Sequence, residues 1–329
     1  MTQTTYVRAV CDALARAMQA DERVIVLGED VAEGGPYTAT AGLAERFGRE
    51  RVRNTPISEG TVAGVAVGAA QAGYRPIVEI MFIDFVTLAL DQLANQAAKA
   101  RFMSGGQLSV PLVMRTQGGA GQRGGAQHSQ SLESWLAHIP GLKVVMPSTA
   151  IDAAGLMTSA IADPDPVVFV ETKALYFLRE EIDGEPPAVP IGVARTFREG
   201  SDLTIVATAR MVSRALEAAD RLAADGIEAE VIDPRTLVPL DVDTITASVS
   251  RTNHLIVVEE AVSSMGFGAE IAAIVQHAAF DDLDAPVERV GAPFTPVPVS
   301  PRLEDAYLPD ADAVVQAARR VLSLPGAVR

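Results

Sequence analysis

Short apolar, β-branched runs alternate with longer helical patterns along most of this 329-residue chain. Regular alternation of this kind predicts an α/β architecture, in which helices cover both faces of mainly parallel sheets. The runs predicted as strands are 23–30, 75–80, 110–115, 142–147, 166–171, 203–209, 228–237 and 254–261. The predicted helices are 85–103, 150–163, 211–224, 241–249 and 266–279, after a first helix whose apolar face carries Tyr6, Val10, Leu14 and Met18.

A proline- and glycine-rich stretch, DGEPPAVPIG at 183–192, interrupts this alternation. It offers few large apolar side chains, which is typical of a linker between domains. The strand–helix pattern then restarts, and 329 residues exceed what one ordinary core accommodates. We therefore predict a first domain over residues 1–185, a linker over 186–200 and a second, smaller α/β domain over 201–329.

The charge and cysteine content exclude several classes of protein. A formal net charge of −15 argues against a nucleic-acid partner or an anionic membrane surface, since both require a basic face. One cysteine cannot form an internal disulfide and is typical of a reducing compartment. No stretch reaches the roughly 20 apolar residues of a membrane span, and the N-terminus lacks the layout of a signal peptide. We predict a cytoplasmic protein.

Glu59 begins a long run of small and apolar residues in NTPISEGTVAGVAVGAAQAG, residues 54–73. Gly60, Gly64 and Gly68 follow at intervals of four, which places them on one helical face and predicts a close helix–helix contact. Tight packing would bury Glu59 and raise its pKa, by up to ~3–5 units for full burial. A carboxyl protonated near neutral pH can exchange a proton with a ring nitrogen. The alternative is a helix N-terminal carboxylate that the helix dipole stabilises.

A glycine-rich loop follows the third predicted strand. Residues 117–126 contain five glycines and one charge, and His128 follows directly. Because glycine costs backbone entropy on folding, such a loop predicts either mobility or close approach to another group. His128 is a candidate acid–base residue, since its ordinary pKa lies near working pH. The alternative is a solvated loop histidine.

The segment MGFGAEI, residues 265–271, follows a predicted strand and opens a predicted helix, as a dinucleotide site would. Ile271 stands where the fingerprint requires a third glycine, and no suitably placed acid follows. A tight strand-to-helix turn is therefore the better interpretation. A nicotinamide-dependent oxidoreductase is an alternative that depends on this segment alone.

Five motifs, in order, give the chain a family resemblance: VLGEDV, TPISE, DQLANQAAKARFMSGG, AQHSQSLE and GLKVVMPST. From about residue 4 to 325 the chain resembles the β subunit of the thiamin-diphosphate-dependent 2-oxo acid dehydrogenases, which include the pyruvate, acetoin and branched-chain enzymes. The resemblance implies an N-terminal thiamin-diphosphate pyrimidine-binding domain and a transketolase C-terminal-like α/β domain.

The resemblance also implies roles for individual residues. Glu59 matches the carboxyl that bonds to N1′ of the aminopyrimidine and exchanges a proton with it. His128 matches a histidine that serves proton transfer while the acyl group passes to a lipoyl arm. The residues implied to bind the cofactor are Glu29, Ser58, Glu59, Phe82 and Phe85.

A structural potassium ion is a further implication of the resemblance. The matching ligand positions are Leu112, Ala160, Ile161, Asp163 and Asp165. Many relatives have Asn at the last position, so Asp165 departs from the family pattern. A second carboxylate there could strengthen cation binding.

The motif that holds the diphosphate of this cofactor through Mg²⁺, a G-D-G followed by Asn, does not occur in the 329 residues. The resemblance therefore implies that an α subunit supplies Mg²⁺ and the other half of the site, in a heterotetramer of two α and two β chains. The glycine face at 60–68 is then expected in a contact between subunits. A dihydrolipoamide acyltransferase core is the further implied partner.

The substrate is predicted only as a class. Leu132 and Met81 stand where branched-chain members tend to have Pro and Gln, so pyruvate or acetoin is favoured over branched-chain 2-oxo acids. The motifs do not separate pyruvate from acetoin. A non-catalytic assembly subunit, in which Glu59 is vestigial, is an alternative of another class.

Overall fold

Contacts divide the chain into two units, and the computed structural model describes residues 2–323 of it. The first unit contains residues 1–118 and 135–191, and the second contains 119–134 and 192–329. The loop after the third predicted strand therefore groups with the second unit, whereas the sequence predicted one continuous first domain.

The first unit contains most of the predicted strands and helices of the N-terminal half. Its strands are β1 (Thr2–Thr5), β2 (Val24–Gly28), β3 (Val52–Asn54), β4 (Arg75–Ile80), β5 (Val113–Gly118), β6 (Lys143–Val145), β7 (Val167–Thr172) and β8 (Arg179–Ile182). The helices up to this point are α1 (Tyr6–Ala20), α2 (Leu43–Phe47), α3 (Glu59–Gln71), α4 (Val86–Asp91), α5 (Ala98–Met103), α6 (Glu133–Ala137) and α7 (Ala150–Ala162).

Parallel pairing organises the main sheet of this unit. Its strands follow the order β6-β7-β5-β4-β2-β3, and β1 and β8 form a separate antiparallel pair. The predicted apolar face of α1 is confirmed, since Tyr6, Val10, Leu14 and Met18 are all buried. Thr5 begins this helix by accepting a hydrogen bond from the Arg8 N–H, which satisfies one otherwise unpaired donor.

The predicted helix over 85–103 is confirmed in extent but not in regularity. A π-helical segment, Gln92–Ala97, joins α4 to α5 without a break. The i→i+5 bonds of a π segment widen the helix locally, and such segments are frequent at functional sites.

The second unit repeats the architecture on a smaller scale. Its strands are β9 (Arg195–Arg198), β10 (Leu203–Ala207), β11 (Ala229–Asp233), β12 (Thr236–Val238), β13 (Leu255–Val262) and β14 (Glu288–Ala292). The helices are α8 (Met211–Ala224), α9 (Val242–Thr252), α10 (Phe267–Ala278), α11 (Pro301–Tyr307) and α12 (Ala311–Val321). The sheet order is β14-β13-β10-β11-β9, parallel except for the antiparallel β9.

Two sequence predictions are corrected or refined here. β9 lies inside the stretch predicted as linker, since Arg195–Arg198 pairs with β11 as the edge of this sheet. The GFG segment is confirmed as a tight turn, with Gly266 as the N-cap of α10. The Gly268 N–H donates to the buried Glu259 carboxylate (3.1 Å), so the chain itself occupies the donor that a dinucleotide phosphate would use.

Within residues 2–323, the helices are all too short or too polar to cross a membrane.

Candidate functional site

The carboxyl ends of three adjacent strands bring most of the predicted cofactor residues to one edge of the first sheet. β2 lies between β3 and β4, with Gly28 opposite both Asn54 and Glu79. Glu29 directly follows β2, Glu59 follows β3 at the start of α3, and Phe82 follows β4. Ligands of parallel α/β sheets bind outside the carboxyl ends of the strands. This edge is the candidate site of the first unit.

Glu59 is the first residue of α3, as predicted, and it is half-buried rather than enclosed. The full burial expected from its apolar surroundings is therefore not provided by this chain. Ser58 is the N-cap, but its hydroxyl donates to Thr61 Oγ1 (2.8 Å) and makes no capping bond. The helix dipole consequently acts on a carboxylate that remains accessible at the edge of the sheet.

Glu29 shares the electrostatic environment of Glu59. Burial raises the pKa of the Glu29 carboxyl, and the negative charges of Asp30 and Glu59 raise it further. The Glu59 charge thus acts on Glu29, which is consistent with the two residues lying at one site.

An aromatic pair follows β4 at the same edge of the sheet. The rings of Phe82 and Phe85 meet edge to face, with centroids 6.0 Å apart, and both side chains are half-buried. Lys173, which follows β7 and is buried, places Nζ 5.0 Å from the centroid of the Phe82 ring. Such a cation–π contact fixes the ring from one side. The arrangement offers aromatic edges and faces to a flat heterocycle.

The glycine face of α3 contacts α4 and the π segment of the same chain. A Cβ at Gly60 would lie 3.0 Å from the Leu88 carbonyl oxygen, and one at Gly64 would lie 3.5 Å from Gln92 Oε1. The predicted helix–helix contact is confirmed within the chain. The expectation that this face also contacts another subunit stays a prediction, and of the three glycines Gly68 has open space around it.

A buried ion cluster in the same sheet escaped the sequence analysis. Arg115 of β5 donates to Glu79 of β4 (Nη1–Oε2 2.5 Å) and to Glu171 of β7 (Nε–Oε1 2.7 Å, Nη2–Oε2 3.0 Å). Burial alone would lower the pKa of Arg115, but the two carboxylates raise it well above its ordinary value. Tyr176 adds a hydrogen bond to Glu171 (2.7 Å). The available signal was a charged residue directly after an apolar run in each of the three strands.

The loop that carries His128 belongs to the second unit, where two buried carboxylates hold it. The Ala120 N–H donates to Glu260 Oε1 (2.5 Å), and the Gly121 N–H donates to Glu304 Oε1 (2.9 Å). Arg123 also donates to Glu304, which is fully buried (Nη1–Oε2 2.5 Å). Of the two predicted reasons for the glycines, close approach is confirmed: a Cβ at Gly119 would lie 2.8 Å from Glu260 Oε1.

His128 itself lies four residues beyond Gly124 in this loop and is half-buried. The main-chain N–H of His128 donates to the Gly125 carbonyl oxygen (3.3 Å). A Cβ at Gly124 would lie 3.0 Å from the His128 carbonyl oxygen. The imidazole is thus carried by a segment whose backbone is fixed. A fixed backbone is what a proton-transferring residue requires.

A second pair of acids lies beneath this loop. Burial raises the pKa of the Glu133 carboxyl to about 8, and the charges of Glu259 and Glu260 raise it in the same direction. Burial likewise raises the pKa of Glu259 to about 7. Oε2 of Glu133 and Oε1 of Glu259 are buried and have no hydrogen-bond partner among the described residues. At neutral pH Glu133 is therefore mainly protonated and Glu259 partly so.

The five positions assigned to potassium do meet, around the turn between α7 and β7. Every one of them already accepts a hydrogen bond from the chain. Main-chain N–H groups donate to the Leu112 oxygen (2.9 Å) and the Ala160 oxygen (3.3 Å). Arginine and lysine side chains donate to the other three, namely Ile161, Asp163 and Asp165. Three of the five positions thus already face cationic side chains of the chain, which argues against a potassium ion among them.

Comparison with known proteins assigns both units. Residues 2–178 match the family model described as transketolase, pyrimidine binding domain. Residues 192–314 match the model described as transketolase, C-terminal domain.

Two similar proteins match over nearly their full length. The chain is 47% identical over 330 residues to acetoin:2,6-dichlorophenolindophenol oxidoreductase subunit beta of Bacillus subtilis (strain 168), covering 96% of each chain. It is also 47% identical over 320 residues to pyruvate dehydrogenase E1 component subunit beta of Rickettsia felis, covering 97% of this chain and 98% of that protein.

Solved structures agree on the fold. A split-gene transketolase, described as an inactive beta4 tetramer, aligns with a TM-score of 0.81 and 25% identity, covering 97% of this chain and 98% of that chain. A transketolase mutant from Pichia stipitis aligns with a TM-score of 0.71 and 16% identity, covering 98% of this chain and 46% of that chain. The latter likeness concerns the fold alone.

Proposed function

Because the chain belongs to the transketolase-type family that includes the β subunits of pyruvate and acetoin dehydrogenases, we propose that it is the β subunit of a thiamin-diphosphate-dependent dehydrogenase. The observation that carries the proposal is the edge formed by β3, β2 and β4. There Glu59 begins α3, Glu29 lies within its electrostatic influence, and Phe82 pairs with Phe85.

The residues at this edge fit the aminopyrimidine end of thiamin diphosphate. Glu59 would place its carboxyl against ring nitrogen N1′ and move a proton there, while Phe82 and Phe85 would contact the faces and edges of the ring. Ser58 and Glu29 complete the proposed binding set. When bound, the cofactor supplies a carbon nucleophile for the substrate carbonyl and accepts the electrons of the broken C–C bond.

Glu59 is only half-buried in this chain, and an α subunit bound over it would account for that exposure. An α subunit would cover the carboxyl, exclude water and hold the diphosphate through Mg²⁺, in an assembly of two α and two β chains. We place the assembly in the cytoplasm.

His128 has the second proposed role, proton transfer while the acyl group passes to the lipoyl arm of a dihydrolipoamide acyltransferase core. Its support is the loop, which Glu260 and Glu304 hold through backbone N–H groups. A histidine carried by this loop offers a ring nitrogen for proton transfer.

The substrate is pyruvate or acetoin. Both named relatives are 47% identical to the chain, so identity favours neither. Purified enzyme supplied with each substrate and 2,6-dichlorophenolindophenol as electron acceptor would distinguish the two by kcat/KM. A branched-chain 2-oxo acid assayed in parallel tests the remaining alternative.

Glu59→Gln in the chain co-expressed with an α subunit tests the catalytic proposal. We expect near-complete loss of turnover with assembly intact by gel filtration, because an amide cannot exchange the proton at N1′. Glu22→Gln, at an exposed carboxylate, is the control and should keep wild-type turnover. Unchanged turnover of Glu59→Gln would instead support the non-catalytic assembly subunit.

A further inference from the structure

The turn that joins α7 to β7, residues 161–165, carries three of the five positions assigned to potassium. We propose that cationic side chains of this chain replace the potassium ion there, so that the turn is stable without a metal. The proposal concerns the folded chain and does not depend on the catalytic function proposed above.

Arg75 occupies the main-chain oxygens of the turn. Its Nη1 donates to the Ile161 carbonyl oxygen (2.7 Å) and to the Asp163 carbonyl oxygen (3.3 Å). The guanidinium is largely buried, with a side-chain exposure of 24%. A potassium ion requires carbonyl oxygens that converge on one positive charge. Here the Arg75 guanidinium is that positive charge and donates hydrogen bonds to the oxygens.

The two carboxylates of the turn are also paired. Lys143 Nζ contacts Asp163 Oδ2 (2.5 Å), and Arg101 Nε contacts Asp165 Oδ1 (2.5 Å). The Asp165 N–H donates to Asp163 Oδ1 (2.9 Å), which closes the turn and keeps the two carboxylates together. Asp165 therefore has a cation in the chain itself, which explains a carboxylate at this position without an added ion.

Charge balance disfavours a further cation. The side chains of Arg75, Arg101 and Lys143 already offset the two carboxylates of the turn, and Arg75 also lies 3.9 Å from Asp21. A potassium ion would meet cationic side chains that already contact the oxygens of the turn, and like charges repel.

Thermal unfolding of the full chain in its native assembly tests the proposal. The midpoint is measured in potassium chloride, sodium chloride and choline chloride at one ionic strength. We expect the same midpoint in all three salts, and no potassium retained by atomic emission after dialysis into sodium buffer. A saturable midpoint increase in potassium alone, or retained stoichiometric potassium, would overturn the proposal.

Arg75→Met supplies a second, independent measurement. Loss of hydrogen bonds from a charged group to two largely buried carbonyl oxygens should lower the midpoint by about 3–10 °C in every salt. Arg23→Met is the matched control, because Arg23 is exposed and shares Asp21 with Arg75. If Arg75→Met lowers the midpoint no more than Arg23→Met, the guanidinium does not hold the turn and the proposal is wrong.

Discussion

Glu133→Gln should make the chain progressively more stable than the wild type as pH rises. In the folded chain burial raises the pKa of the Glu133 carboxyl from 4.5 to about 8. Between these two values the folded chain holds a proton that the unfolded chain has lost. The stability of the wild type therefore falls as pH rises through this window, whereas glutamine has no proton to lose.

The magnitude follows from the two pKa values. One pKa unit corresponds to about 1.4 kcal/mol, so the burial of Glu133 costs about 0.8 kcal/mol at pH 5 and about 3.3 kcal/mol at pH 7. The gain of Glu133→Gln over the wild type should therefore grow by about 2.5 kcal/mol across these two pH units. Glu259, whose pKa is about 7, is present in both proteins and enters the difference only through the effect of its charge on Glu133.

Urea unfolding at pH 5, 6, 7 and 8 measures this difference. The single tryptophan of the sequence, Trp135, lies in α6 with Glu133 and provides a local fluorescence signal. Glu199→Gln, at an exposed carboxylate of the second unit, is the control and should follow the wild type at every pH. A stability difference between Glu133→Gln and the wild type that does not change with pH would show that Glu133 ionises normally.

Three further predictions concern packing and the His128 loop. Glu304→Gln should weaken the hold on the loop and accelerate tryptic cleavage after Arg123, measured by mass spectrometry against the wild type; unchanged cleavage would mean that other contacts fix the loop. Gly60→Ala should destabilise the chain, because the added Cβ would approach a carbonyl oxygen of α4. Gly68→Ala, which has open space, should stabilise the chain by about 0.5–1 kcal/mol. Equal effects of the two variants in urea unfolding would contradict a contact at Gly60 that Gly68 lacks. Arg115→Met should lower the free energy of unfolding by about 3–5 kcal/mol, since it leaves the carboxylates of Glu79 and Glu171 buried without a cation. A smaller loss in urea unfolding would indicate that these carboxyls are already neutral.

Periodicity predicted the regular elements of this chain well, because they depend on local patterns. The helix over 211–224 agrees with α8 at both ends, and the predicted strand at 75–80 agrees with β4. β9 was missed because its four residues have intermediate exposure and alternate too little to stand out from a linker. Pairing with β11, rather than composition, makes this segment a strand.

Long-range polar contacts were the part that sequence could not supply. Residues 119–134 join the second unit through carboxylates that lie 140 and 183 residues later in the chain. Nothing in a glycine-rich loop specifies such partners. The Arg101–Asp165 pair is similar, since 64 residues separate its members, and an acidic residue at 165 alone suggested stronger metal binding.

The attachment of the glycine-rich loop to Glu304 also orders events during synthesis of the protein. Strands β2 to β7 are all made once β7 has left the ribosome, yet the carboxylate that holds Gly121 is made more than 100 residues afterwards. His128 can therefore reach its final position only after α11 has been translated. The candidate site edge of the first unit is thus translated well before the residue that holds the His128 loop.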